Sequence, residues 1–480
     1  MNRLLPLPLL GALATAAVAA PAAGAAPPWS PPQLVPGSAG AVIAPSLSFG
    51  TTSAGILGWS TSERPLDVPS LTGRLAALSA AAPGPGTRDI SPYNLAAPVR
   101  AYAATRMVAL LRRASPRVQP QPDVEPPPRI SVAFGPVDGA LGRPHILADA
   151  VGPRVSDAAL AVDARGDAIA AWVQSRGFTR PNPSNGLGTA LNDRLWISTR
   201  RAGGSFARPT VLVGSGRLDS VDVAVGARGD MLVAFTRQRI VRGREAQPRR
   251  VEVRARRAGH HFGRVQDVGP NQGFALLATA IAPNGRAYVA WGTQDGGEEA
   301  NEPFRVYAAV QPAGSSRFRP GVLLDPGSGI ERPVGTVAIG VAPDATATVT
   351  WSGVRLTGTP GDFRFFFPVQ AATTGAGARF GRAQVVAGGN GAVGGVTVTR
   401  AGTTTVAWTA LRPGEFREPT GVLAARRPAG TAAFGPAETI TDEPPVADTD
   451  PPAIGADPAT GRPVVAWPGG GGLLVSGRTG

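Results

Sequence analysis

Short apolar runs recur along the chain, each opened by a polar turn and closed by an aromatic residue. One copy reads Gly166-Asp167-Ala168-Ile169-Ala170-Ala171-Trp172 and the next Gly229-Asp230-Met231-Leu232-Val233-Ala234-Phe235. The run returns over 285–291, 345–351, 402–408 and 461–467, each time ending on Trp. Looser copies end on Trp59 and on Leu110. Within a run, Met231, Val233 and Phe235 alternate with Leu232 and Ala234, so both faces of an extended strand are apolar. A strand in a one-sided sheet carries polar side chains at every second position, whereas a strand apolar on both faces must be covered on both. Gly and Pro break the chain too often for long helices.

A second phrase follows each aromatic: a strand, an Ala-Gly or Gly-rich turn, an aromatic, then a short β run. Examples are Arg201-Ala202-Gly203-Gly204-Ser205-Phe206 and Arg257-Ala258-Gly259-His260-His261-Phe262, with Phe318, Phe380 and Phe434 marking three more. Ahead of the first phrase lies another alternating strand, such as 158–162 or 221–225. Each repeat therefore holds four strands in up-down order, spaced roughly 51 to 63 residues from its neighbour. That pattern predicts an all-β chain folded as a β-propeller of eight, alternatively seven, four-stranded blades. Its structural anchors are Trp59, Trp172, Phe235, Trp291, Trp351, Trp408 and Trp467. The last repeat supplies only three strands, and Trp29 to Val35 matches the missing fourth as written at Phe206 to Leu212. The N-terminal strand, anchored by Trp29, is thus expected to close the ring on the C-terminal blade and cover its edge.

Residues 1–25 read as an export signal: Asn2 and Arg3, an apolar stretch from Leu4 to Val18, then the small-residue site Ala23-Gly24-Ala25. The expected organisation is a single propeller domain over 26–480. Its closing strand spans 28–37, divergent blades with Pro-rich inserts 40–150, regular blades 153–441 and the last blade 447–480. The sequence predicts a secreted, extracellular protein with no transmembrane segment, expected to be a monomer. The chain has 480 residues, and every one of its 47 basic residues is Arg. Without Lys there is no P-loop lysine, Schiff base or Ser-Lys dyad. Without Cys there is no thiol catalysis, disulfide or thiolate metal site. The net charge of +14 favours polyanions as partners.

The repeat pattern resembles bacterial secreted β-propeller proteins with sialidase-like repeats. A sialidase would imply Asp-boxes of the form Ser-x-Asp-x-Gly-x-Thr-Trp, an Arg triad, a Tyr nucleophile with a Glu partner and an Asp acid/base. No Asp-box is present, and Tyr288 sits inside a strand phrase where other repeats place Ile, Leu, Thr or Val. Tyr93, Tyr102 and Tyr307 are the other tyrosines.

The binding candidates lie just past the anchors. Arg176, Arg239, Arg355 and Arg412 recur four residues after the aromatic, with Asp295 in the equivalent place of another repeat. In a ring they would face one rim, as convergent guanidinium groups for an anion or as solvated loop residues. The loops they open (173–194, 236–250, 292–303 and 352–364) share no common text. The second is basic and the third acidic, a mixed rim that fits a glycan, an anionic polymer or a protein better than specific nucleic-acid binding. His145, His260 and His261 lack metal-ligand spacing, so no metal or other cofactor is expected. Arg-Gly-Asp at 165–167 and 228–230 occupies the place of a plain turn at Pro283-Asn284-Gly285. The sequence reading is a non-catalytic binding or scaffold propeller. The alternative is a degenerate glycoside hydrolase or lyase acting on extracellular polysaccharide, which would need a convergent carboxylate pair in the central funnel.

Overall fold

The computed structural model describes residues 29–30, 32–34, 41–49, 54–62, 130–136, 145–148 and most of 154–478; within the last span 164, 177–191, 242–243, 272–274, 295–303, 327–336, 354, 360–361, 376–378, 414–417, 444–450, 457–460 and 470–471 are not described. Every named element is a strand. After β1 (Gln33–Leu34), four antiparallel strands form the first sheet: β2 (Ala41–Phe49), β3 (Ala54–Ser62), β4 (Ile130–Pro136) and β5 (His145–Ala148). The next holds β6 (Arg154–Val162), β7 (Ala168–Ser175), β8 (Arg194–Arg200) and β9 (Thr210–Val213). It is followed by β10 (Arg217–Val225), β11 (Met231–Val241), β12 (Arg244–Arg256) and β13 (Gln266–Asn271). A fourth sheet joins β14 (Ala275–Ile281), β15 (Ala287–Gln294), β16 (Phe304–Gln311) and β17 (Val322–Asp325).

Beyond these, β18 (Ala338–Val341) and β19 (Ala347–Ser352) precede a separate hairpin of β20 (Arg355–Thr359) and β21 (Asp362–Phe366). The sheet resumes with β22 (Pro368–Thr373) and β23 (Gln384–Val398), then β24 (Thr404–Leu411), β25 (Pro419–Arg427) and β26 (Ala437–Thr441). The long strand β23 serves two partners: Gln384 to Asn390 pair with β22, and Gly391 to Val398 with β24. The last sheet holds β27 (Ala453–Ala456), β28 (Pro463–Gly469) and β29 (Gly472–Gly477), and β1 completes it beside β29. The repeat copy ending on Leu110 lies outside the described residues.

The arrangement is that of a propeller. The first strand of each sheet packs on the first strand of the next, β2 on β6, β6 on β10, β10 on β14 and β14 on β18. The series runs on from β18 to β23 and β27, and β27 packs on β2, which closes the circle. The two-faced strands explain the stacking. Met231, Val233 and Phe235 pack against Ile169, Leu195 and Leu212 of the preceding sheet. Leu232 and Ala234, on the other face of the same strand, pack against Val289 and Trp291 of the following one. Trp351, Trp408 and Trp467 each close an equivalent cluster against the sheet before them.

Trp172, Phe235, Trp291, Trp351, Trp408 and Trp467 are all buried; of Trp59 only its strand position, opposite Ser131, is described. The indole N–H of Trp291 donates to the Pro270 carbonyl at 3.1 Å, and that of Trp351 to Asp325 Oδ2 at 3.0 Å, both on the outer strand of the preceding sheet. Gly269 and Gly321 are needed beside Trp291, because a Cβ at either would run into the indole. Each described repeat turn adopts positive φ at one residue: Gly166, Gly229, Gly285, Gly402 and Gly461, with Ala345 (φ 67) the non-Gly exception. The two Arg-Gly-Asp triplets are such turns. Asp167 Oδ1 accepts from the Ala202 N–H at 2.8 Å and Asp230 Oδ1 from the Ala258 N–H at 3.0 Å, tying each turn to the second-phrase turn of its own sheet.

At the seam, Gln33 pairs with Val475 and Leu34 with Leu474, and Trp29 bridges Arg478. The Ser30 N–H donates to the Gly477 carbonyl at 2.8 Å, and Ser476 Oγ donates to the Ser30 carbonyl at 2.7 Å. Trp29 is buried among Val422, Ile440 and Trp467, and its N–H reaches Glu438 Oε2 at 3.2 Å, an acid that also pairs with Arg478.

Two stability outcomes follow from this packing. Trp291→Ala should lower the unfolding free energy by about 3–5 kcal/mol, read from urea denaturation; a loss no larger than that of an exposed substitution would show that the indole seals nothing. Deleting residues 26–37 exposes the β29 edge and should both lower the melting temperature and produce dimers or larger species in size-exclusion chromatography. A deletion variant that stays monomeric and equally stable would refute the seam.

Candidate functional site

The innermost strands carry two carboxylates of note. Asp157 on β6 accepts the N–H of Ala158 on Oδ1 at 2.8 Å and, across the gap between sheets, the N–H of Val221 on Oδ2 at 2.8 Å. Asp222 on β10 accepts both the N–H (2.6 Å) and the hydroxyl (2.8 Å) of Thr279 on β14 through Oδ2. Each therefore pins its own inner strand to the next one around the ring. Both side chains are enclosed by protein yet still reach solvent. Desolvation raises Asp157 to about 6 against the pull of its two backbone hydrogen bonds. Desolvation likewise raises Asp222 to about 7, opposed by its Thr279 and Val223 hydrogen bonds and reinforced by the Asp157 charge. Acids protonated near neutrality are what glycoside chemistry asks of a proton donor. These two spend their oxygens on backbone N–H groups of the ring itself.

The described arginines past the anchors are unevenly engaged. Arg176 and Arg239 are exposed, and the Arg176 N–H donates to Asp193 Oδ1 at 2.8 Å. Arg412 is exposed but paired with Glu418 at 2.9 Å. Arg355 opens the β20–β21 hairpin opposite Phe366, and Asp295 lies outside the described residues. The basic stretch 236–250, read from sequence as a variable loop, is largely strand. β11 and β12 extend through it until Val241 pairs with Arg244. Three of its arginines are held by acids: Arg237 by Glu252 (2.8 Å between Nη2 and Oε1), Arg249 by Asp219, and Arg250 by Asp267 at 2.7 Å.

Asp193 was not singled out by sequence reading and carries much of this rim. Its side chain is fully buried, takes the N–H groups of Arg176 and Leu218, and pairs with Arg217 at 3.3 Å. A single Asp before a strand gives no sequence signal, because its partners lie in another loop and another sheet. The tyrosines described are structural. Tyr288 is fully buried and donates to the Ala345 carbonyl at 2.6 Å, and Tyr307 stacks on Trp291 with ring centroids 5.4 Å apart. Among the described residues no cluster of three or more His, Asp or Glu could hold a metal, and no helix is long and apolar enough to cross a membrane.

No protein-family model and no curated protein matches the sequence. Solved structures share its outline at low identity. A protein of unknown function from Dyadobacter fermentans is 12% identical with a TM-score of 0.48, covering 93% of this chain and 96% of its own. An α-L-arabinanase from Penicillium chrysogenum is 14% identical with a TM-score of 0.39, covering 68% of this chain and 94% of its own. A mutant of the NanB sialidase from Streptococcus pneumoniae is 8% identical with a TM-score of 0.41, covering 94% of this chain and 70% of its own. Likeness at this level brings neither substrate nor mechanism to the chain.

The carboxylates give a signed pH prediction. A carboxyl raised in the folded state binds its proton more tightly there than in the unfolded chain. Its stabilising contribution is complete below the ordinary value of 3.8 and is lost as pH climbs through about 6 to 7. Asp222→Asn cannot titrate, so its melting temperature relative to the parent should rise by several degrees between pH 5 and pH 8. A constant difference across that range would show that Asp222 does not titrate there.

Proposed function

We propose that this chain is an exported, non-catalytic β-propeller of seven blades that serves as a binding or scaffold module for an extracellular glycan, anionic polymer or protein. The two partners of β23 make it the outer strand of one blade and the inner strand of the next, so the seven-stranded sheet is two four-stranded blades, which supports a count of seven. The apolar N-terminal stretch and its small-residue site support export. The observation that carries the non-catalytic reading is the state of the axial acids: the interstrand oxygens of Asp157 and Asp222 are committed to Val221 and Thr279.

A second reading keeps a specific observation in its favour. The raised Asp157 and Asp222 carboxyls could supply a proton near neutral pH, as a glycoside hydrolase or lyase would require. Incubating the purified chain with a panel of extracellular polysaccharides separates the two. Co-sedimentation reports binding, while reducing-sugar and unsaturated-product assays report turnover. Binding without product is expected, and Asp157→Asn should bind as the parent does. Product formation abolished by Asp157→Asn would overturn the non-catalytic reading.

A further inference from the structure

On the rim opposite the post-anchor loops, the turns of two neighbouring sheets enclose a groove of about 1010 Å³. One wall is the β10–β11 turn and the β12–β13 connection; the other is the β14–β15 turn and the β16–β17 connection. Five arginines line it, Arg228, Arg256, Arg257, Arg264 and Arg317, together with His260 and His261 and a single acid, Asp230. That acid already accepts the Ala258 N–H.

The walls are tied to each other. Gln266 donates to the Ser316 carbonyl at 2.8 Å and accepts the Phe318 N–H at 3.0 Å, and Arg257 donates to the Gly314 carbonyl at 2.7 Å. The arginines are unevenly engaged. Arg256 lies over the Phe262 ring at 5.3 Å and touches only the Met231 sulfur, a weak acceptor, at 2.8 Å; its Nε is buried without a partner. Arg228, Arg264 and Arg317 are exposed, and among the described residues no hydrogen bond or ion pair holds their guanidinium groups. Unsatisfied guanidinium N–H groups converging in one cleft are strong donors for carboxylate or sulfate.

Abundance of Arg does not account for the cluster. The equivalent groove between β18–β23 and β23–β26 measures about 590 Å³ and is lined by threonines, with Arg400 and Arg427 as its only arginines. There Arg427 donates to the hydroxyls of Thr373 (2.7 Å), Thr348 (3.0 Å) and Thr404 (3.2 Å). The same repeat position is lined mainly by threonines that engage Arg427 at one interface and by exposed arginines at the other.

We propose that the trough binds an acidic polysaccharide. Its anionic groups would meet Arg228, Arg256, Arg264 and Arg317, and its hydroxyls the polar Asn284, Ser315 and Ser316. The volume lies at the upper end of small-molecule sites, as an oligomeric stretch requires. Nucleic acid is the poorer fit: Phe318 packs into the apolar cluster between the sheets, which leaves only the imidazoles of His260 and His261 for base stacking. The inference rests on the binding reading above and places its contact on the rim opposite the sequence candidates Arg176, Arg239 and Arg412.

The test is calorimetric titration of the full chain at about 50 and about 200 mM salt. The probes are polygalacturonate (carboxylate only), dextran sulfate (sulfate only), neutral dextran and a single-stranded oligonucleotide. One or both acidic polymers should bind and dextran should not, and the stronger of the two identifies the anionic group. The triple variant R228A/R264A/R317A should bind about ten-fold more weakly with a shallower salt dependence and an unchanged melting temperature, while R176A/R239A/R412A binds as the parent does. The proposal is overturned if no acidic polymer binds, if the oligonucleotide binds more tightly, or if the groove variant matches the parent. Loss confined to the R176A/R239A/R412A variant would refute the groove and leave the proposed function standing, whereas cleavage of a polymer would refute the non-catalytic reading instead.

Discussion

Everything in this fold depends on the dry contact between one sheet and the next. The described second strands are buried on both faces, so none of their sheets could stand with only one neighbour, and the aromatic at the strand end seals the gap. Burying one Trp side chain removes on the order of 200 Å² from water, worth about 5 kcal/mol. With no disulfide in the chain, that contact repeated around the circle must hold the ring. Polar ties then fix the register between sheets: indole N–H to the outer strand before it, and Asp157 and Asp222 to the inner strand after them.

The strand order and the anchors were legible because their signal is local. A turn, an alternating apolar run and a terminal aromatic sit within a few residues of one another, and a positive-φ turn residue marks each described start. The axial ties were not legible, because Asp157 and Asp222 find their partners on the neighbouring sheet, some 60 residues away along the chain. The post-anchor segments misled for a related reason. Lacking common text, 236–250 reads as a loop, yet it continues the strand ladder and uses Arg237, Arg249 and Arg250 in ion pairs. Sequence shows that an Arg is present but not whether an acid on the next strand has already taken it.

The same distinction runs through both rims. Past the anchors, Arg237, Arg249, Arg250 and Arg412 all have acidic partners, which turns charge into local rigidity. At the opposite rim, the arginine ahead of the Ala-Gly turn follows a rule of its own. Arg256 lies over Phe262 and Arg427 over Phe434, so a repeated cation–π contact supports the turn. That shared support leaves the residues around it free to differ, with threonines filling one interface and exposed arginines the other.

The seam sets the order of events in folding. Trp29 meets Arg478, so a strand near the start of the chain finds its partner only when nearly all of the remainder is in place. Neighbouring strands can pair early because little chain separates them, whereas this pairing must close the longest loop in the molecule and belongs to the late, slow part of folding. Until then the β29 edge and the face that receives Trp29 stay open. A chain interrupted in that interval resembles a split washer, able to clasp another copy through the same edge that its own first strand would have covered.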